Sequence, residues 1–266
     1  MSGAGAAVSA WHRRTFDHDG LRFSYLDTGG TGPLLVLLHA HWMGASDFDD
    51  VVAPLADGWR VVALDQRGHG ETQHGGTHSI EAYIGDLDAL LTAIVHAGPF
   101  VVLGHSFGGM VANHYAAARP ERVRAIIMED IDVARDDHDD FISPWAGVFP
   151  TREALEERIG ARLAPYLRKS MKRVADGWTL TFEPREVLES SKALNGDYWH
   201  VWLGHTCPAL VIRGAHSKPV DGNVLAEMAR RRPDTELATI DAGHSVHIDA
   251  PEAFVAAVRA FISRLP

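Results

Sequence analysis

Phe100-Val101-Val102-Leu103-Gly104-His105-Ser106-Phe107-Gly108-Gly109 sets a short apolar run directly against a serine flanked by glycines, and the residues that follow read as a helix as far as Arg119. A short apolar run bounded by glycine is consistent with a buried strand, so the serine falls on a tight strand-to-helix turn. A serine hydroxyl is a weak nucleophile at neutral pH and needs a base within reach, which such a turn allows. Gly104 and Gly108 flank the turn because side chains there would collide with the packed strand and helix. Ser106 is therefore the candidate nucleophile. The backbone N–H of Phe107 points at the same centre, where the following helix also directs its positive end.

Working outward, strands and helices alternate on both sides of this turn. Arg13 to Phe16 and Leu21 to Leu26 surround Asp17-His18-Asp19-Gly20 as an opening hairpin. Leu34 to Leu38 is continuously apolar, as expected of a strand buried on both faces, and it runs into His39-Ala40-His41-Trp42-Met43-Gly44. Ser46 is expected to cap a short helix through Ala56, and Trp59 to Leu64 reads as the next strand. Ser79 caps a helix carrying Tyr83, Leu87, Leu91 and Ile94 on one face, with Gly98 as its stop. Beyond the turn come Val123 to Met128, Ala209 to Arg213 and Glu236 to Ile240 as strands, with helices over Val224 to Arg231 and around Phe254 to Leu265.

This alternation predicts an α/β fold with a mostly parallel, twisted sheet flanked by helices. The rhythm breaks between Ile131 and Thr206, which is read as an inserted helical lid with helices over Glu153 to Leu163 and Arg185 to Ala193. The expected organisation is one compact domain, its core formed by residues 1–130 and 207–266 and its lid by 131–206. Residues 1–10 are read as a loose tail without the basic start and long apolar core of a signal peptide.

The 266 residues carry a formal charge of −10, which argues against binding a phosphate backbone or an anionic membrane surface. A small-molecule substrate is the expected partner, with no nucleic acid and no membrane, and a homo-oligomer is left open. One cysteine, Cys207, allows neither an internal disulfide nor a cysteine-rich metal site. No apolar run reaches the ~20 residues of a membrane-spanning helix, and a cytoplasmic location is expected. Asp136, Asp137, Asp139 and Asp140 read as a solvated acidic face without EF-hand spacing. No metal and no cofactor are expected.

A serine nucleophile needs a base on a loop that can fold back over the turn. Of 16 histidines, His244 has that position, in Asp241-Ala242-Gly243-His244-Ser245-Val246-His247 directly after the last strand. At this point the chain resembles the α/β-hydrolase fold over residues 13 to 265. The likeness rests on the Leu34 to Met43 strand and loop, Leu64-Asp65-Gln66-Arg67-Gly68-His69-Gly70, the serine turn, and Ala242-Gly243-His244. It implies a triad of serine, histidine and acid, and it does not specify a substrate.

Relatives in this family usually carry the acid after the strand that here is Ala209 to Arg213, as Gly-x-x-Asp. This chain has Gly214-Ala215-His216-Ser217, and serine cannot supply the charge that orients an imidazole. Some members place the acid one strand earlier, where this chain has Glu129-Asp130-Ile131-Asp132. The resemblance selects Asp130, with Glu129, Asp132 and the later Asp221 as alternatives. It also implies an oxyanion hole made by the backbone N–H groups of Phe107 and His41, His39 being a structural brace and Ala40 standing where the family has glycine.

The resulting expectation is a cofactor-independent hydrolase of a small ester, lactone or amide. Carbon–carbon bond hydrolysis, cofactor-free perhydrolysis and a non-catalytic binding role on the same scaffold are the alternatives. For the pocket, Trp42, Trp145, Arg152 and Arg168 are the candidates, the arginines for a substrate carboxylate. The plainer alternative is that lid arginines pair with Glu153, Glu156 and Glu157 while the tryptophans pack the lid onto the core.

Overall fold

The computed structural model describes residues 11–265, so the tail over residues 1–10 lies outside the described residues. Eight strands form one sheet: β1 (His12–His18), β2 (Leu21–Asp27), β3 (Leu34–Leu38), β4 (Arg60–Asp65), β5 (Phe100–His105), β6 (Val123–Glu129), β11 (Ala209–Gly214) and β12 (Thr235–Ile240). Their order is β1-β2-β4-β3-β5-β6-β11-β12. The β1–β2 hairpin joins β4 antiparallel, and every pair from β4 through β12 is parallel.

Period-2 alternation assigns the strand residues to two separate cores. Val36, Leu38, Val102 and Ile126 face α2 (Ile80–Ala93) and α3 (Phe107–Ala118). Leu35, Leu37, Val101, Leu103 and Ile127 face α1 (Asp49–Leu55) and α9 (Pro251–Ile262) on the other side. Helix α7 (Gly222–Arg231) packs between β11 and β12, and α8 (Val246–Asp249) precedes α9. Both faces of β3 and β5 are thus covered, which is why these strands read as continuous apolar runs.

Several helix ends differ from the sequence expectation; the helix expected over Glu153 to Leu163 already stops at Ile159, and the ends of α1 and α2 show the physical reasons. Gly44, not Ser46, starts the turn before α1: its N–H donates to Asp47 Oδ2 at 2.7 Å, and Ala45–Phe48 form a 3-10 turn first. Helix α2 ends at Ala93, where Val95 takes the left-handed conformation (φ 54) and His96 N–H reaches back to the Leu91 carbonyl at 2.9 Å. That six-residue closure satisfies a terminal carbonyl before the chain reaches Gly98.

The 131–206 segment holds α4 (Arg152–Ile159), α5 (Pro184–Leu194) and α6 (Trp199–Trp202). It also holds two ribbons that helical spacing could not reveal. One pairs β7 (Ala134–Arg135) with β10 (Gly196–Asp197), and the other pairs β8 (Met171–Val174) with β9 (Gly177–Leu180) across a two-residue turn. Ile142, Trp145, Leu155, Leu167, Leu180 and Phe182 give the segment an apolar cluster of its own. Among the described residues no helix is long and apolar enough to cross a membrane.

Candidate active site

The parallel strands deliver the expected site residues to one edge. His105 of β5 lies opposite Glu129 of β6, and Ile212 of β11 lies opposite the same Glu129, so Ser106 and Asp130 leave adjacent strands at the same level. The His244 loop follows β12, whose Ile240 pairs with Gly214. Carboxyl ends of parallel strands are where open α/β sheets bind ligands.

Ser106 has φ 50 and ψ −118, a conformation that non-glycine residues rarely adopt and that costs roughly 1–3 kcal/mol. The glycines around it make the turn possible. A Cβ on Gly104 would stand 2.2 Å from the Gly108 backbone, and one on Gly108 would stand 2.2 Å from the Leu38 carbonyl oxygen. The helix therefore rests directly on β5 and β3, and Ser106 N–H is tied to the Glu129 carbonyl at 2.9 Å.

Asp130 is fully buried and also has positive φ (47). Its Oδ2 accepts the Nδ1–H of His244 at 2.7 Å and the hydroxyl of Ser217, while its Oδ1 accepts Gly214 N–H at 2.9 Å. Ser217, in the slot where relatives carry the acid, thus acts as a donor to the acid on the neighbouring strand. Because an ionised carboxylate can only accept, this contact selects the neutral tautomer with its proton on Nδ1, the one whose Nε2 offers a lone pair. Ser106 and His244 line the same cavity, although no hydrogen bond joins them. Such contacts often tighten only when substrate is bound.

The three alternatives to Asp130 are engaged elsewhere. Glu129 bonds His247, Asp132 Oδ1 accepts Ala134 N–H at 3.3 Å, and Asp221 caps α7 through Asn223 N–H at 2.9 Å.

Neither Phe107 N–H nor His41 N–H donates to any acceptor among the described residues. His39 braces the loop as expected: its Nδ1–H donates to the Ala40 carbonyl at 2.7 Å, and its Nε2 accepts Gln66 N–H at 3.0 Å. Burial pushes the His39 imidazole down to about 4, so it is neutral at pH 7. The His41 ring stacks on Phe107, with centroids 4.1 Å apart, and its Nε2 meets Ser190 Oγ at 2.9 Å. Burial and the neighbouring His69 hold His41 far below the ordinary imidazole range, so this ring too is neutral.

A cavity of about 540 Å³ opens over Ser106 and His244. Trp42 lines it as expected; the other three pocket candidates do not. Trp145 is buried in the cluster of the inserted segment and meets Trp42 edge-on, with centroids 5.6 Å apart. Arg152 is drawn to Glu156, one helical turn along, at 3.1 Å and lies over the Trp178 ring. Arg168 sits exposed on a 3-10 turn outside the cavity.

The cations that line the cavity are Arg135, Arg162 and Lys218. The β7–β10 ribbon presents Arg135, whose guanidinium is pulled down by burial against the opposing pull of Asp132 and Asp139 and which pairs with Asp137. Arg162 and Lys218 are exposed and have no carboxylate partner among the described residues. None of the three stands in a sequence motif.

The sequence profile of the alpha/beta hydrolase family matches residues 35–257. The chain is 26% identical over 248 residues to 2-(acetamidomethylene)succinate hydrolase of Mesorhizobium japonicum, covering 88% of this chain and 89% of that one. It is 27% identical over 262 residues to sn-1-specific diacylglycerol lipase ABHD11 of Mus musculus, covering 91% and 85%. The crystal structure of E-2-(acetamidomethylene)succinate hydrolase matches with a TM-score of 0.85 at 24% identity, over 95% of this chain and 99% of that one. That of the enol-lactonase from Burkholderia xenovorans LB400 gives 0.77 at 20% identity, over 94% and 100%. At these identities the structural likeness is one of fold.

Proposed function

The chain belongs to the alpha/beta hydrolase family, and from that premise we propose that it is a cofactor-independent serine hydrolase cleaving a small carboxylic ester, lactone or amide through an acyl-enzyme. The observation that carries the reading is the 2.7 Å contact between His244 Nδ1 and the buried Asp130, beside a serine turn that opens into the same cavity. His244 Nε2 removes the Ser106 proton as Oγ attacks the substrate carbonyl. Asp130 holds the reacting tautomer and stabilises the imidazolium that forms. The N–H groups of Phe107 and His41 receive the oxyanion, and their lack of an acceptor among the described residues suits that task. The imidazolium then protonates the leaving group, and water, activated by the same histidine, releases the acid.

The substrate we assign carries a carboxylate besides its scissile acyl group. Arg162 and Lys218, which have no carboxylate partner among the described residues, line the cavity and suit an anion, since a guanidinium gives a carboxylate both energy and orientation. The relative from Mesorhizobium japonicum is a hydrolase of a substituted succinate, itself a dicarboxylate. The 131–206 segment acts as a lid, contributing Phe141, Leu163, Tyr166 and Leu167 to the cavity wall.

The test is labelling with a fluorophosphonate, located by peptide mass spectrometry, together with turnover of a panel of acyl esters. Label on Ser106, and loss of both labelling and turnover in a folded Ser106→Ala variant, are expected. Full turnover in that variant would end the proposal.

A further inference from the structure

Directly beneath the candidate triad lies a second acid–histidine pair that the proposed mechanism does not use. Glu129 and His247 are both buried, and Glu129 Oε1 accepts two hydrogen bonds from His247, from the backbone N–H at 2.9 Å and from Nδ1 at 2.8 Å. Burial acts to raise the Glu129 carboxyl and to lower the His247 imidazole, yet their mutual attraction reverses both directions. Their pairing therefore favours the ionic form, an arrangement that burial alone disfavours and that only close contact sustains.

The pair touches every backbone segment that carries the triad. The Glu129 carbonyl accepts Ser106 N–H at 2.9 Å, Glu129 is covalently joined to Asp130, and His247 lies in α8, immediately after the His244 loop. His105 fills the space between the two layers. Its ring lies 4.8 Å from that of His244 and 5.0 Å from that of His247, and its Nε2–H donates to the His244 carbonyl at 3.0 Å. His105, Glu129 and His247 bring their potential ligating atoms within 4.8 Å of one another, as in a metal site. The shortest contacts among them are nevertheless those of an ion pair.

We propose that Glu129, clamped by His247, is the positioning residue that fixes His244 relative to Ser106 and Asp130. Consecutive residues at the end of β6 then divide the work: Asp130 holds the imidazole from its side, and Glu129 holds the loop from below. This role rests on reading Ser106, His244 and Asp130 as a triad. Displacing a reacting group by about 1 Å can cost roughly 10²-fold in rate, and a loop released from this buried clamp gains freedom of that order.

The experiment compares wild type with Glu129→Gln, which keeps a carbonyl acceptor but loses the charge, with His247→Phe, which keeps the bulk, and with the double variant. Circular dichroism and melting curves identify the folded proteins. On a neutral p-nitrophenyl ester, kcat and the rate of fluorophosphonate inactivation should fall together by roughly 10²-fold, with KM within about twofold. The double variant should fall no further than the slower single, because the two residues act as one unit. The downfield proton resonance of His244 Nδ1–H should shift or broaden in each variant. A folded single variant with kcat within about twofold of wild type, or a loss confined to KM, overturns the proposal. His247→Phe decides alone if Glu129→Gln does not fold. Wild-type turnover in Ser106→Ala would instead remove the triad reading, and this proposal with it.

Discussion

Replacing Asp130 by asparagine tests the assignment of the acid with little change in shape. In wild type, Oδ1 accepts Gly214 N–H, while Oδ2 accepts both His244 Nδ1–H and the Ser217 hydroxyl. An asparagine must present its amide nitrogen to one side or the other. Turned toward Gly214, the NH2 would face another N–H donor in the interior, leaving an unsatisfied group at a cost of about 1–3 kcal/mol. Turned toward His244, it meets an imidazole that can accept at Nδ1 only if the proton moves to Nε2. Ser217 can rotate to accept, so this second arrangement is favoured. The histidine is then in the wrong tautomer to take the Ser106 proton. The equivalent change in a serine protease lowers kcat by about 10⁴-fold, or about 5 kcal/mol of barrier at ~1.36 kcal/mol per decade. Initial rates on a neutral p-nitrophenyl ester near pH 7, beside a melting curve for the variant, give the measurement. A folded Asp130→Asn protein within about tenfold of wild-type kcat would refute the tautomer argument, and loss in Asp221→Asn instead would move the acid to the later strand.

If Arg162 and Lys218 receive a substrate carboxylate, wild type should prefer an anionic acyl ester over a neutral one of matched size. Arg162→Ala or Lys218→Ala should reduce that preference in kcat/KM by about tenfold, as expected for loss of one charge-assisted contact, whereas equal rates on both esters in wild type would leave the substrate neutral. Stability should fall on acidification. Burial pushes His39 down to about 4 and both His69 and His105 down to about 3, whereas an unfolded chain protonates them near ~6.5. Below that pH the unfolded state binds protons that the folded state refuses. Stability from these groups is therefore complete above ~6.5 and declines steadily as the pH falls, by on the order of 4 kcal/mol for the three together one unit lower. Melting temperatures measured from pH 7.5 to pH 5 should drop accordingly, and a flat profile would show that these imidazoles are not held neutral.

The sheet was legible because strands buried on both faces leave continuous apolar runs, and because the glycines at 104 and 108 report a contact no other residue permits. His244 was singled out by its position after β12, and Asp130 by the family resemblance among three other carboxylates; the fold brings the two together at 2.7 Å. The pocket arginines were not. Which charged side chains of an inserted segment turn inward depends on packing that no local pattern encodes, and Arg152, chosen from the sequence, has Glu156 on the same helix face to satisfy it. Arg135 faces the cavity through a two-residue ribbon whose partner strand lies far along the chain, a pairing without any periodic signal.

The place of the proposed acid follows from the register of the sheet. Because β6 and β11 are neighbours, and Glu129 and Ile212 lie side by side, a carboxylate leaving either strand can reach an imidazole that arrives from β12. Two carboxylates there would share one buried space and one would be forced to remain protonated. A serine at 217 avoids that conflict and adds a donor, so the oxygen that holds His244 has both a proton to accept from the base and a hydroxyl to steady it. The rest of the edge can then stay as it is. The Gly214 N–H that also bonds Asp130 comes from the strand relatives use for their acid, so both strands still take part in holding one carboxylate. What the chain exchanges between them is a charge for a hydrogen-bond donor.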